Sequence, residues 1–299
     1  MLSYLSILRP FNCLMSVIAV IIGSFLLIKT ANFSTLLAVI TAFLVAGAGN
    51  VINDYVDIDA DKINRPKRPI PSGKIKPKMA LAYCIALFVI GISISFFINM
   101  PAFLLASVNS FLLIIYSTHL KRKIFIGNIV ISYMVGSTIL FGSLAVMDIS
   151  NPSQLILPLL LMALSSLSNF SREIVKTVED LEGDKLAFIK KAVEKVKGKV
   201  LERFGVEGKN VKFKYSEKFM IGLASFVLLC VVAISPLPFV LKILGLSYLI
   251  VLIPTDFVFF LSVYILISSK NKKRFSKASK LIKVGMFLGL AAYIVGIIL

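Results

Sequence analysis

FSTLLAVITAFLVAGAGNVINDYVDIDADKINRPKRPIPSG, residues 33 to 73, decides the architecture. From 33 to 53 it is apolar and long enough to cross a bilayer as a helix; it then turns acidic and, shortly after, basic. At about 100° per residue, Asn50, Asn53, Asp54, Asp57 and Asp61 share one helical face and Asp59 points away. Arg65, Lys67 and Arg68 follow at once. Acids crowded on one face repel one another, so a cation is expected there. Hard divalent ions take carboxylate oxygens, and Mg²⁺ in particular is held by protein carboxylates together with substrate phosphates. A second stretch, NFSREIVKTVEDLEGD at 169 to 184, repeats the arrangement with Asn169, Glu173, Lys176, Asp180 and Asp184 on one face.

Composition limits the class independently. In 299 residues, 58% are hydrophobic and mean hydropathy is +0.92, too apolar for a soluble domain of this length. An all-α integral membrane protein follows. Cys13, Cys84 and Cys230 lie in apolar runs without metal or disulfide spacing, and His119 is the only histidine, which excludes zinc sites and most histidine catalysis. The net charge of +18 sits between the apolar runs, so it points to lipid headgroups and topology, and no nucleic acid partner is expected.

Nine spans are predicted, near 11 to 30, 33 to 53, 79 to 98, 102 to 118, 124 to 147, 153 to 176, 217 to 235, 243 to 268 and 279 to 299. With this division every Lys and Arg except Lys29 and Lys242 falls on one side. The alternation predicts a multi-pass cell-membrane protein with a cytoplasmic amino terminus and an external carboxyl terminus. Both acidic stretches then lie at cytoplasmic helix ends, those of spans 2 and 6. Four spans apart, they suggest a pseudo-repeat of helices 1 to 4 and 5 to 8 around a central cavity. Residues 1 to 299 read as a single transmembrane domain, with a cytoplasmic insert at 185 to 215.

Within that insert, Leu186, Ile189, Val193, Val196, Val200 and Phe204 follow helical spacing with lysines on the other face, an amphipathic basic helix over 185 to 204. It suits either a lid on the cavity mouth or a membrane-surface anchor. The acids stand among Arg65, Arg68, Lys121, Arg122 and Lys176, a constellation that favours a polyanion bridged by Mg²⁺; a solvated network of paired charges is the plainer alternative.

The segments NDYVDIDADKINRPKRPIPSG (53 to 73), YSTHLKRK (116 to 123), GN at 127 to 128 and REIVKTVEDLEGDK (172 to 185) resemble the UbiA superfamily of intramembrane prenyltransferases. The first carries that family's NDxxDxxxD pattern and the last its DxxxD, here Asp180 to Asp184. The resemblance implies that Asn53, Asp57, Asp61, Asp180 and Asp184, with Asp54 in the same motif, hold two Mg²⁺ against the diphosphate of an isoprenyl donor. It implies that Tyr116, Lys121, Arg65, Arg68 and Lys176 hold the diphosphate; Asn50 and Asn169 on the acidic faces, and Arg122 and Arg172 beside them, are further substrate-binding candidates. The runs SGKI and REIVK are most similar to archaeal members that form the second ether bond of the membrane lipid. That implies geranylgeranyl transfer from geranylgeranyl diphosphate to the sn-2 hydroxyl of a lipid acceptor, geranylgeranylglyceryl phosphate, with membrane lipids as further partners. An aromatic acceptor of quinone or haem biosynthesis is the alternative, and a transporter the non-enzymatic one. The basic helix at 185 to 204 departs from the Gly and Thr-Leu-Pro continuation usual in the family.

Four positions admit two readings. Arg9, with Asn12 beside it, is either a snorkelling anchor or a ligand for the acceptor phosphate. Asp256, after Pro254, is read as capping a helix broken at that proline, the alternative being an intramembrane functional acid. His119 reads as a loop residue. Glu173 pairs with Lys176 or orients the acceptor hydroxyl.

Overall fold

The protein is described by a computed structural model covering residues 2–121, 123–196, 216–269 and 273–299, with the helical backbone alone at 63, 64, 124 and 181–196. In chain order the helices are α1 (Leu2–Ile7), α2 (Pro10–Phe25), α3 (Phe33–Val56), α4 (Ile58–Asn64), α5 (Pro77–Phe96), α6 (Met100–Ile115), α7 (Ile124–Val146), α8 (Ile156–Val196), α9 (Glu217–Ile234), α10 (Leu237–Val240), α11 (Leu246–Ser268) and α12 (Lys273–Ile298). A π-helical turn, Tyr116–Leu120, ends α6. Among the described residues there are no strands. The starts of the spans are written locally. Asn32, Asn99 and Ser216 accept the backbone N–H of Thr35, Ala102 and Phe219 at 2.9, 2.8 and 3.1 Å, and Pro10 and Pro77 occupy first-turn positions that need no N–H donor.

Eight helices among the described residues are long and apolar enough to cross a membrane, and α2, with 16 residues, is a shorter ninth. Each lies where the sequence predicts a span. Large apolar side chains such as Leu36, Phe111, Phe257 and Tyr264 face outward, as a chain solvated by lipid requires.

The neighbour relations support the expected pseudo-repeat. In the first half α2 packs on α3, α3 on α5 and α5 on α6; in the second, α7 packs on α8, α8 on α9 and α9 on α11. The leading helices of the two halves cross at equivalent dipeptides. Ser24 donates to the carbonyl of Gly142 at 3.0 Å, and Ser143 donates to the carbonyl of Gly23 at 2.6 Å. A Cβ on Gly23 would stand 1.9 Å from the Ile139 oxygen and one on Gly142 2.0 Å from the Val20 oxygen, so only glycine permits this approach. One core cluster unites α8, α9, α11 and α12 around Tyr248, Tyr293 and Phe275, and another joins α1, α3 and α5. Outside the repeat, α12 closes the ring by packing on α11, α8 and α2.

Two expectations change. The helix is not broken at Pro254: α11 runs through it, and Asp256, instead of capping, accepts from Ser235 at 3.1 Å with both oxygens. Proline frees only the Ile250 carbonyl, which a helix in a bundle tolerates; the Thr255 hydroxyl bonds its own i−4 carbonyl, Val251, at 3.1 Å. The helix expected over 185 to 204 is continuous with α8 as far as Val196, with no turn after Asp184; residues 197 to 204 lie outside the described residues.

Candidate active site

The first acidic motif is built on a helix that changes direction within the motif. At Asp57 the backbone leaves helical geometry (φ −88°, ψ 9°), so α3 ends and α4 begins, while Asp57 N–H still reaches Asn53 at 3.0 Å and Asp61 N–H reaches Asp57 at 2.8 Å. The acids therefore stay together on one side without sharing one straight helix. Asp54 and Asp61, 2% and 5% exposed, are bridged by the guanidinium of Arg68, which donates to Asp54 at 3.0 Å. Asp54 also pairs with Arg9. Asp57 is half-buried and pairs with Lys121. Asp59 points away, as its place on the helical face predicts. Fully exposed, it takes Lys62 at 2.8 Å, and that ammonium holds its carboxyl below the usual range.

Arg9 resolves between its two readings in a third way. It lies between α1 and α2 in left-handed backbone, φ 53° and ψ 68°, a conformation that costs a residue with a Cβ about 1–2 kcal/mol. Its side chain is committed to buried Asp54. Next to it, Asn50 donates to the Leu8 carbonyl at 2.8 Å, so α3 grips the turn on which Arg9 sits. Asn12 lines the cavity described below.

The second motif rises from α8. Asn169, 5% exposed, donates to Ser132 at 3.3 Å, and Asn128 on α7 donates to Thr177 at 3.2 Å, fixing α8 against α7. Glu173 takes Arg172 at 2.6 Å and Lys176 at 3.5 Å, the structural pairing expected of it. Asp180 is exposed and forms no ion pair among the described residues. One helical turn further, Asp184 is placed by its backbone alone. Between the motifs stands Tyr116, within electrostatic reach of both Asp57 and Glu173. His119 is an exposed turn residue bonded to Thr118 at 2.6 Å, and Arg65 is exposed on the loop. Arg122 lies outside the described residues.

A cavity of about 510 Å³ has walls from α2, α3, α6, α7, α8 and α12; it is lined by Asn53 of the first motif and by Asn169, Arg172 and Glu173, two to three turns before Asp180, while Asp54, Asp57, Asp61 and Asp180 stand outside its lining. Asn12, Asn50, Asn53, Asn169, Arg172 and Glu173 make its lining polar, and Met15, Ala19, Val45, Ile139, Phe141 and Leu290 contribute apolar wall. Four of its lining residues carry buried polar atoms without a partner: Thr41 Oγ1, Asn53 Oδ1, Asn109 Oδ1 and Arg172 Nε. Buried polar groups are normally bonded, so a polar ligand or water is the expected partner. Sequence reasoning missed Thr41, Asn109 and Lys283, which sit inside apolar spans and become neighbours of the site only through packing.

Among the described residues, no three Asp, Glu, His or Cys side chains converge on one point. The residues nonetheless suit a hard cation. Asn53 Oδ1 is a buried acceptor with no donor, Asp57 and Asp180 are accessible carboxylates, and all are oxygen ligands of the kind Mg²⁺ takes.

A helical membrane bundle with two acidic motifs and basic loops at one cavity is a prenyltransferase architecture, and comparison with known proteins agrees. The UbiA prenyltransferase family model matches residues 16–291, and the chain belongs to that family. It is 33% identical over 293 residues to digeranylgeranylglyceryl phosphate synthase of Methanosphaera stadtmanae, covering 98% of both chains. It is 37% identical to the protein of the same name from Methanocaldococcus jannaschii, covering 99% of this chain and 96% of that one. A solved structure described as giving insights into digeranylgeranylglyceryl phosphate synthase in membranes superposes with a TM-score of 0.80 at 36% identity, covering 99% of this chain and 98% of that one. A UbiA homolog from Archaeoglobus fulgidus, solved with GPP and Mg²⁺, shares the fold at a TM-score of 0.64 and 17% identity, over 98% of this chain and all of that one.

Proposed function

We propose that this protein transfers a geranylgeranyl group from geranylgeranyl diphosphate to the sn-2 hydroxyl of geranylgeranylglyceryl phosphate, giving digeranylgeranylglyceryl phosphate. The observation that carries the reading is a cavity whose wall is polar at Asn53, Asn169, Arg172 and Glu173, next to the two acidic motifs, and apolar deeper in the bundle. A substrate with a diphosphate head and a long hydrocarbon tail needs that combination. Full-length relatives named digeranylgeranylglyceryl phosphate synthase support the acceptor assignment.

Asn53, Asp57, Asp61, Asp180 and Asp184 are assigned to hold Mg²⁺. When bound, the metal supplies neutralisation of the diphosphate leaving group. Asp54, buried between two arginines, is assigned a positioning role: it fixes Arg9 and Arg68. Arg65, Arg68, Lys121 and Lys176 face the departing diphosphate and stabilise charge as it develops. The allylic C–O bond breaks, pyrophosphate leaves, the acceptor oxygen bonds to the allylic carbon, and the hydroxyl proton is lost. Glu173, on the cavity wall, lies where a carboxylate can orient that hydroxyl. The apolar wall keeps water from the allylic cation.

The bias of Lys and Arg to one side supports a cytoplasmic site and amino terminus and an external carboxyl terminus. The basic helix of the insert at 185 to 215 carries on from the site along α8 as far as Val196, which suits a membrane-surface anchor; a lid role needs a bend beyond the second motif.

Purified protein incubated with Mg²⁺, radiolabelled geranylgeranyl diphosphate and a panel of acceptors tests the assignment. The expected result is transfer to geranylgeranylglyceryl phosphate. Transfer solely to 4-hydroxybenzoate or dihydroxynaphthoate would overturn it.

A further inference from the structure

The cations near the motifs are mostly spoken for. Arg9 and Arg68 serve Asp54 and Asp61, Lys121 serves Asp57, and Arg172 and Lys176 share Glu173. Lys283 is different. It lies on α12, a helix long and apolar enough to cross a membrane, and it lines the same cavity from the wall next to α8 and α2. No carboxylate pairs with it among the described residues. Its ammonium lies 5.9 Å from the ring of Phe287, one turn further along α12, and Phe287 lines the cavity too. Lys277, Lys280 and Lys283 are all exposed, but of the three only Lys283 lines the cavity. Arg274, near the start of α12, is consumed by Glu217 at 2.6 Å and the Leu266 carbonyl at 3.2 Å. An unpaired charge in a membrane-embedded wall is expensive and marks a ligand site.

We infer that Lys283 binds the phosphate monoester of the acceptor lipid, and so selects a phosphorylated acceptor over a neutral one. The inference rests on the proposed lipid phosphate acceptor. Two anionic substrates share this cavity, and the donor diphosphate is matched by the motif acids and their loops on α3, α4 and α8. The second anion needs a cation away from those carboxylates, and α12 supplies it.

The test uses the whole protein in phosphatidylcholine vesicles, which carry no net headgroup charge. Lys283→Met keeps the helix apolar and Lys283→Arg keeps the charge. KM is measured for geranylgeranylglyceryl phosphate and for geranylgeranyl diphosphate, and turnover is compared with geranylgeranylglycerol, the acceptor without phosphate. For Lys283→Met the expected result is an acceptor KM raised about tenfold or more, with donor KM within about twofold of the parent. Preference for the phosphorylated acceptor should collapse, and Lys283→Arg should restore it. An unchanged acceptor KM, or donor and acceptor KM rising together, overturns the inference while leaving the lipid reading standing. If the parent protein itself ignores geranylgeranylglyceryl phosphate, the functional reading fails, and the role of Lys283 fails with it.

Discussion

Lys121 and Asp57 form an ion pair that ties the π-helical turn after α6 to the break between α3 and α4. The pair holds a cation and a carboxylate at one spot, where a diphosphate takes the first and a metal the second. Lys121→Ala should raise the donor KM about tenfold or more, the worth of one charged hydrogen bond, with Lys121→Arg much closer to the parent. Steady-state kinetics at saturating acceptor checks this; an unchanged donor KM would remove Lys121 from the donor site.

Chelation separates a metal site from a network of paired charges. Turnover should vanish in EDTA and return with excess Mg²⁺, because carboxylates alone repel a diphosphate. Full activity in chelator would leave the acids with only their arginine and lysine partners.

The two motifs should differ in what their loss does to stability. Asp180 is exposed and unpaired among the described residues, so Asp180→Ala should cost orders of magnitude in turnover while Tm in detergent stays within a few degrees. Asp54 is 2% exposed and holds two arginines. Asp54→Ala should destabilise by about 1–3 kcal/mol, since Arg9 loses its partner while Arg68 keeps Asp61. Equal thermal behaviour of the two variants would contradict the division between positioning and metal-holding acids.

The seam between the halves gives a purely structural prediction. A Cβ at position 142 meets the Val20 oxygen at 2.0 Å, whereas one at position 222 meets nothing within 4 Å. Gly142→Ala should therefore destabilise by about 1–3 kcal/mol, and Gly222→Ala should be neutral or slightly stabilising. Thermal unfolding of both in the same detergent checks the contrast.

Spans and motifs were legible because each is a local property: length and apolarity define a span, and spacing of about 100° groups Asn53, Asp57 and Asp61. Asp59 was correctly set aside by the same arithmetic. The roles within the cluster were not legible. Asp54, Asp57 and Asp61 look alike in sequence, and only packing gives Asp54 two arginines and Asp57 a lysine from a loop more than sixty residues away. Asp256 reads otherwise in sequence because a proline in isolation predicts a break, while the end of a neighbouring helix supplies Ser235 as its partner. The dipeptides at Gly23 and Gly142 were overlooked since Gly-Ser carries no signal until two helices cross there. Lys283 passed as one more basic residue at a cytoplasmic helix end, for its place on the cavity wall depends on the rotation of α12.

The central claim is that one diphosphate is held by both acidic motifs at once. A crystal structure grown with Mn²⁺ in place of Mg²⁺ and a thiodiphosphate analogue of the donor tests it most directly, by anomalous scattering. The expected result is metal bridging the analogue to Asn53 and Asp57 on one side and to Asp180 on the other, with the hydrocarbon tail in the cavity. Metal and diphosphate contacting only one motif, with the other still paired to its own cations, would contradict the account.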